Sequence, residues 1–128
     1  MSRTVLDEAE SLLTSEPLIA HLATSLNDCP HVAPVWYLYA DETVELVTGG
    51  KMLTNIRKNP RVALSIQKDE GGHTEWMVSL LGTATVVDDE AAYRAVNRRI
   101  NEKYDCDEAH PENTLVRISV GTVNYQTY

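Results

Sequence analysis

Six segments of the chain are rich in apolar and β-branched residues, and polar turns containing Asn, Asp, Pro or Gly separate them. This pattern is typical of β-strands that bury one face. Gly82 interrupts the fifth segment and predicts a bulge or bend there, as the corners of barrels require. We predict strands, mostly joined as hairpins, at residues 18–25, 31–39, 43–47, 61–67, 75–87 and 114–128.

Three further segments carry apolar residues at helical spacing. They are residues 4–15, a short stretch between the Gly49-Gly50 turn and Pro60, and a longer stretch from the acidic cap at residues 88–90 to about Tyr104. Strands in hairpin order with helices inserted between them favour a mainly β fold. We therefore predict a six-stranded antiparallel barrel with about three helices.

Length and charge narrow the classes of function. The 128 residues fit a single domain, residues 1–128, and the formal net charge is −8. Such an acidic chain is a poor partner for nucleic acid, because basic patches hold phosphate backbones. No signal peptide is recognised, and no apolar run approaches the roughly 20 residues that cross a bilayer. We expect a soluble, cytoplasmic protein without a membrane partner, of an acidic composition typical of a salt-rich cytoplasm.

A glycine turn before the short helix predicts an anion site. The first N–H groups of a helix lack partners and carry partial positive charge, so an anion can bind there. Lys51 adds a full charge, and Thr48 and Thr54 add hydroxyl donors. The alternative is an ordinary turn followed by a solvated surface lysine.

Pro34-Val35-Trp36 interrupts the second predicted strand. Proline cannot donate a backbone hydrogen bond, so it marks a strand edge or a break that frees backbone groups. Those groups and Trp36 could receive a flat heteroaromatic ring whose phosphate tail lies at residues 48–51. The alternative is that Trp36 packs in the core, as most buried aromatic residues do.

Signatures of other chemistry are missing from the sequence. No serine lies in a G-x-S-x-G elbow, and Cys29 and Cys106 lie beside no plausible base, so covalent hydrolysis is disfavoured and both thiols are predicted to be free. The four histidines lack metal-site spacing, so no metal is predicted; His21 and His31 could face each other across the first hairpin. No catalytic residue is nominated.

The order of these motifs closely resembles the pyridoxamine 5′-phosphate oxidase-like FMN-binding split-barrel family. The likeness runs from about residue 18 to residue 87, and its most specific pieces are residues 34–36 and 55–62. The resemblance implies a homodimer that binds two FMN molecules, or in one branch a reduced deazaflavin, in clefts between the subunits. The cofactor-binding residues that it implies are Pro34, Val35, Trp36, Val47, Thr48, Gly49, Lys51 and Met52.

Two departures from that family narrow the range of reactions that the resemblance implies. Met52 stands where the phosphate-binding motif usually has a second basic residue. Family members that oxidise pyridoxamine phosphate have an arginine-rich C-terminal segment. This chain has Asn-Tyr-Gln-Thr-Tyr at residues 124–128 instead, so vitamin B6 oxidation is not expected. The resemblance therefore implies a flavin-dependent oxidoreductase with an unassigned small-molecule substrate. The alternatives are a deazaflavin-dependent reductase and a non-catalytic flavin-binding or sensory protein.

Overall fold

The computed structural model describes residues 5–109 and 112–128, which form three helices and seven strands. The helices are α1 (Asp7–Leu13), α2 (Gly50–Lys58) and α3 (Glu90–Lys103). The strands are β1 (Ala20–Leu26), β2 (Cys29–Val35), β3 (Leu38–Ala40), β4 (Thr43–Thr48), β5 (Arg61–Glu70), β6 (His73–Val87) and β7 (Thr114–Thr127).

The strands form one antiparallel sheet in the order β2-β1-β5-β6-β7-β4-β3. The long strand β6 pairs with β5 on one side and with β7 on the other, so it forms the middle of the sheet. The prediction of a mainly β antiparallel fold with three helices is confirmed.

The predicted number of six strands is wrong by one, because residues 31–39 form two strands. β2 pairs with β1 and β3 pairs with β4, so the two strands lie at opposite edges of the sheet. Only Trp36 and Tyr37 separate them, and the three peptide steps from Val35 to Leu38 span about 10 Å at most. The two edges must therefore approach each other here, which curls the sheet into a barrel that is open between β2 and β3.

Side chains that alternate along the strands fill the interior of this barrel. On α1 and α2, Leu13 and Ile56 add the buried faces of the helices to the same cluster. A smaller cluster of Val96, Ile100 and Leu115 joins α3 to β7. Full burial of each such side chain stabilises the fold by roughly 1.5–3 kcal/mol, so both clusters hold the helices firmly against the sheet.

Gly82 lies at the predicted irregularity in β6. The pairing of β6 with β7 shifts register between Leu81 and Gly82, so the predicted bulge is confirmed. A Cβ atom at Gly82 would lie 2.6 Å from the carbonyl oxygen of Ser119, which explains the need for glycine where the two strands approach closely.

The register of the first hairpin separates the two histidines that were expected to face each other. His21 lies opposite Pro34, and His31 lies opposite Thr24. The prediction of a contact between His21 and His31 is therefore wrong.

Candidate functional site

The β4–α2 turn (residues 48–50) forms one side of the candidate site. Gly49 is the N-cap of α2 and has no side chain to cap the helix, and Gly50 has a left-handed φ of 60°, which favours glycine. Thr48 is only 9% exposed, yet its hydroxyl has no hydrogen-bond partner among the residues that the structure describes. The turn therefore holds polar groups that a bound ligand could pair with.

Helix α2 is fixed to the sheet by buried amide contacts. Asn55 is 2% exposed, and its Nδ2 donates to the Thr24 hydroxyl at 3.1 Å. Asn59 follows the helix and donates from Nδ2 to the carbonyl oxygen of Ser25 at 3.0 Å. Both bonds tie the C-terminal half of the segment to β1, which fixes α2 relative to the sheet.

The strand break (Trp36 and Tyr37) forms another side of the site. The Trp36 ring stacks on the Tyr104 ring, with centroids 4.7 Å apart and an angle of 5° between the planes. The indole N–H has no hydrogen-bond partner in the part of the chain that the structure describes. Trp36 packs partly against the smaller hydrophobic cluster. Core packing therefore accounts for part of the role of Trp36 and leaves its polar edge without a partner.

A cavity of about 250 Å³, here called the Trp36 cavity, connects the strand break with the β4–α2 turn. Six of the predicted residues line it: Pro34, Val35, Trp36, Val47, Thr48 and Gly49. The strand break and the β4–α2 turn thus meet at one site, as expected from the sequence of a ring site and a phosphate site.

Lys51 and Met52 do not line the Trp36 cavity. The side chain of Lys51 is exposed in the first turn of α2, beside the cavity. Met52 is 4% exposed and belongs to the main hydrophobic cluster, so it fills the interior instead of standing next to Lys51 at the helix N-terminus. The Thr54 hydroxyl donates to the carbonyl oxygen of Gly50 at 3.2 Å, which occupies it within the helix.

The opposite wall of the cavity was not predicted from the sequence. It consists of Asn97, Ile100, Asn101, Glu108 and Asn113. Asn97 and Asn101 donate from Nδ2 to the carbonyl oxygen of Glu108 at 3.0 and 2.8 Å, so the chain after α3 folds back over the helix. The spacing of residues 97, 100 and 101 puts them on one face of α3, and this was the available signal.

Burial changes the acidity of the groups around the strand break. It lowers the pKa of Lys103 to about 8 and raises the pKa of Tyr104. It also raises the pKa of Tyr37 well above its ordinary value, and the nearby Tyr104 adds to that rise. At neutral pH the surroundings of the strand break, behind the cavity wall, therefore hold two neutral phenols and one half-buried ammonium group.

The described residues contain neither a metal-ligand cluster nor a membrane-spanning helix. No three His, Cys, Asp or Glu side chains in residues 5–109 and 112–128 lie together as a metal site. None of the described helices is long and apolar enough to cross a membrane.

Solved structures of other proteins share this fold. The conserved hypothetical protein Rv2991 from Mycobacterium tuberculosis is 24% identical, with a TM-score of 0.77 over 99% of this chain and 88% of that chain. An F420 reductase is 23% identical, with a TM-score of 0.73 over 89% and 94% of the two chains. An FAD-binding protein from Mesorhizobium loti is 21% identical, with a TM-score of 0.73 over 96% and 95%.

Family membership follows from the sequence match. None of the curated proteins matches this chain. A family model described as pyridoxamine 5′-phosphate oxidase, however, matches residues 6–125, from the start of α1 to near the end of β7. With nearly the whole chain matched and the sheet shared with solved structures of this type, the protein belongs to the pyridoxamine 5′-phosphate oxidase family and has its split-barrel fold.

Proposed function

We propose that the protein is an FMN-dependent oxidoreductase that acts on a small molecule as a homodimer. The observation that carries the proposal is the Trp36 cavity, which connects a strand break to an uncapped helix N-terminus. Similarity to an F420 reductase and to FAD-binding proteins supports a flavin-type cofactor. The choice of FMN rests on the family resemblance and on the provision for one phosphate.

The strand break fits the flat ring of a flavin. Val35 and Trp36 offer apolar and aromatic surface, and the Trp36 indole N–H is a donor without a partner in the described residues. Apolar surface of this kind can hold a flat ring, and a few polar groups can fix its orientation. We assign the ring to this part of the cavity.

The β4–α2 turn fits a phosphate. The Thr48 hydroxyl and the first N–H groups of α2 are donors, and the helix N-terminus favours negative charge. Lys51 is exposed next to them and can reach an anion from the solvent side. Because Met52 is buried, Lys51 is the single cation that we assign to the phosphate.

The dimer is proposed from the size of the cavity and the surface of the sheet. A volume of about 250 Å³ lies below the roughly 300–1,000 Å³ of typical ligand pockets, so a flavin would protrude and need further cover. Val32 and Leu81 are more than half exposed on the sheet. A second copy would bury such apolar surface and cover the ligand. A monomer mass in light scattering at micromolar concentration would contradict this part of the proposal.

The division of chemistry between cofactor and protein is simple. A bound flavin would supply the redox chemistry, accepting and passing on electrons. The protein would bind the phosphate at the β4–α2 turn, orient the ring against Trp36 and exclude water with the wall from α3. We assign no proton transfer to a side chain.

The first test is the absorbance spectrum of the purified protein, followed by titration with FMN and riboflavin. We expect flavin absorbance, or uptake of added FMN with preference over riboflavin. Lys51→Ala should weaken FMN binding about tenfold to a hundredfold, since a charge-assisted hydrogen bond contributes roughly 1.5–3 kcal/mol. It should leave riboflavin affinity unchanged, because riboflavin has no phosphate.

Lys58→Ala is the matched control for that substitution. Lys58 is also exposed on α2 but lies at the opposite end of the helix, so its removal should not change FMN affinity. Protein that takes up neither FMN nor deazaflavin would overturn the proposed function. Equal losses of FMN and riboflavin in Lys51→Ala would show that Lys51 acts through the fold.

Specific observations favour two alternatives. Similarity to an F420 reductase favours a deazaflavin-dependent reductase, which preferential uptake of deazaflavin would reveal. Burial of Met52 leaves a weaker phosphate site, which favours a flavin-binding or sensory protein without turnover. That alternative predicts bound flavin that stays oxidised with nicotinamide donors and a broad panel of acceptors.

A further inference from the structure

The last turn of α3 holds the backbone of the strand break. The N–H of Tyr37 donates to the Tyr104 hydroxyl at 3.2 Å, and Lys103 Nζ donates to the carbonyl oxygen of Tyr37 at 2.7 Å. Two consecutive side chains thus take both backbone groups that the break removes from strand pairing. Buried backbone groups need such partners, so these bonds stabilise the break itself.

Tyr104 also ties the break to the chain before β1. Its hydroxyl donates to the carbonyl oxygen of Leu18 at 2.6 Å. On the other side, the Tyr37 hydroxyl donates to the carbonyl oxygen of Leu13 at 2.7 Å, and Tyr37 is fully buried. The side chain of Tyr37 is therefore tied to α1, its backbone is tied to the end of α3, and Tyr104 ties the same network to the segment before β1.

The same two residues, at the C-terminal end of α3, also hold the aromatic rings. Tyr104 stacks on Trp36, and Lys103 Nζ lies 3.7 Å from the centroid of the Tyr37 ring and 5.0 Å from that of Tyr104. An ammonium group at such distances is attracted by the ring faces. Burial lowers the pKa of Lys103 to about 8, as expected for an amine partly removed from water.

The position of Tyr104 relative to the cavity indicates the role of its stacking contact with Trp36. Trp36 lines the cavity, whereas Tyr104 does not, so the stacking contact lies outside the space that a ligand would occupy. Tyr104 therefore fixes the plane of the indole without meeting the ligand. A ring bound in the cavity would meet an indole whose orientation is already set.

We propose that Lys103 and Tyr104 are positioning residues that hold Trp36 in the orientation needed to bind the ring of a flavin. This inference rests on the proposed function. Neither side chain touches the cofactor in this account, and both act through Trp36 and the backbone of Tyr37. Pre-organisation of this kind raises affinity because binding then has less side-chain freedom to remove.

The test uses riboflavin as the probe, so that the phosphate site does not contribute. Tyr104→Leu removes the stack, Tyr104→Phe keeps the stack but removes the hydroxyl, and Lys103→Met removes the donor to Tyr37. We expect Tyr104→Leu to weaken riboflavin binding about twofold to tenfold, the range for loss of one aromatic pair. Tyr104→Phe should retain most of the affinity, and Lys103→Met should fall between them.

The second readout is the fluorescence of Trp36. It is obtained by subtracting the emission of the same variant with Trp36→Phe, and this subtraction removes the contribution of Trp76. Emission should change strongly in Tyr104→Leu and little in Tyr104→Phe. Tyr128→Leu is the control, since Tyr128 is 71% exposed at the end of the sheet. A purely structural role would lower the thermal midpoint of both Tyr104 variants without separating their riboflavin affinities.

Three outcomes would overturn the proposal: unchanged riboflavin affinity in folded Tyr104→Leu, equal losses in Tyr104→Leu and Tyr104→Phe, or Trp36 emission that does not respond to Tyr104→Leu. If Tyr104→Leu does not fold, the riboflavin affinity of Lys103→Met becomes the test. An unchanged affinity in Lys103→Met would overturn the proposal. Wild-type protein that binds neither riboflavin nor FMN overturns the proposed function instead. The emission difference would then still show whether α3 orients Trp36.

Discussion

At the strand break, the polar groups of Tyr37 all have protein partners, whereas at the β4–α2 turn the Thr48 hydroxyl has none in the described residues. The two sides of one cavity thus differ in what completes them. Internal contacts pair the polar groups of Tyr37 on the first side, and we expect a ligand to pair the Thr48 hydroxyl on the second. Substitutions at the break should therefore change stability without ligand, whereas substitutions of exposed or unpaired groups at the turn should change binding alone.

Met52→Lys should have the largest effect and tests the limits of this comparison. The residue lies in α2 near the turn, but its side chain is buried in the main core. Losing a buried methionine side chain costs roughly 2–5 kcal/mol, and burial of an unpaired charge adds to that cost. We expect a large fall in the free energy of unfolding, measured by urea denaturation, and no gain in FMN affinity. Tighter FMN binding at unchanged stability would place this side chain at the phosphate instead.

Tyr37→Phe should give the next largest effect, at the side that internal contacts complete. It removes the hydroxyl that donates to the carbonyl oxygen of Leu13 and leaves that buried acceptor unpaired. The expected loss is about 1–3 kcal/mol in the free energy of unfolding without flavin. Tyr125→Phe is the control, because Tyr125 is exposed on β7. Equal stability of Tyr37→Phe and wild type would remove the claim that this side is completed internally.

Thr48→Val should have a smaller effect, and only on binding. The substitution keeps the shape of the side chain and removes a hydroxyl that has no protein partner in the described chain. Unfolding without ligand should therefore change little. FMN affinity should fall about twofold to tenfold through loss of one hydrogen bond, and riboflavin affinity should not change. A loss of stability without ligand would show that Thr48 supports the fold.

The dependence of stability on pH should give the smallest effect, because solvent screens the half-buried Lys103. Burial lowers its pKa to about 8, so between pH 8 and 10 the unfolded chain binds more protons than the folded chain. The free energy of unfolding should therefore rise with pH across this window. Above pH 10 the raised pKa values of Tyr37 and Tyr104 act in the opposite direction, because the unfolded chain loses those protons first.

Denaturant titrations at pH 8, 9 and 10 would check this slope. Lys103→Met should flatten it, and Lys58→Met should not, since Lys58 is exposed. A slope that persists in Lys103→Met would assign the pH dependence to another group.

Local patterns predicted the parts of the fold that depend on neighbours in the sequence. Gly82 marked the bulge, and Asp89 caps α3 by accepting from the N–H of Ala92. Pro34 marked the break between strands. None of these patterns could show that β2 and β3 lie at opposite sheet edges, because that depends on pairing with strands elsewhere in the chain.

The candidate site was predictable at the strand break and at the β4–α2 turn, but not at the wall that includes α3. Residues 34–36 and 47–49 carry local signals and do line the cavity. The wall from α3 depends on packing over long sequence separations, since Tyr37 bonds to a residue 67 positions away. The burial of Met52 could have been predicted from the sequence, because positions 52, 55 and 56 share one face of α2. The prediction for Met52 followed the family motif, which usually has a basic residue at that position, and did not use the helical periodicity.

The free edge of β2 has a consequence for how copies of the chain can associate. The two-residue turn at Asn27 and Asp28 makes Leu26 and Cys29 a hydrogen-bonded pair, so the amides at positions 30, 32 and 34 point away from β1. Two of these three positions are Pro30 and Pro34, which carry no N–H. This edge is therefore a poor template for an added strand, which protects the protein from edge-to-edge aggregation. For the same reason β2 is a poor partner for β3, so the barrel stays open between these two strands.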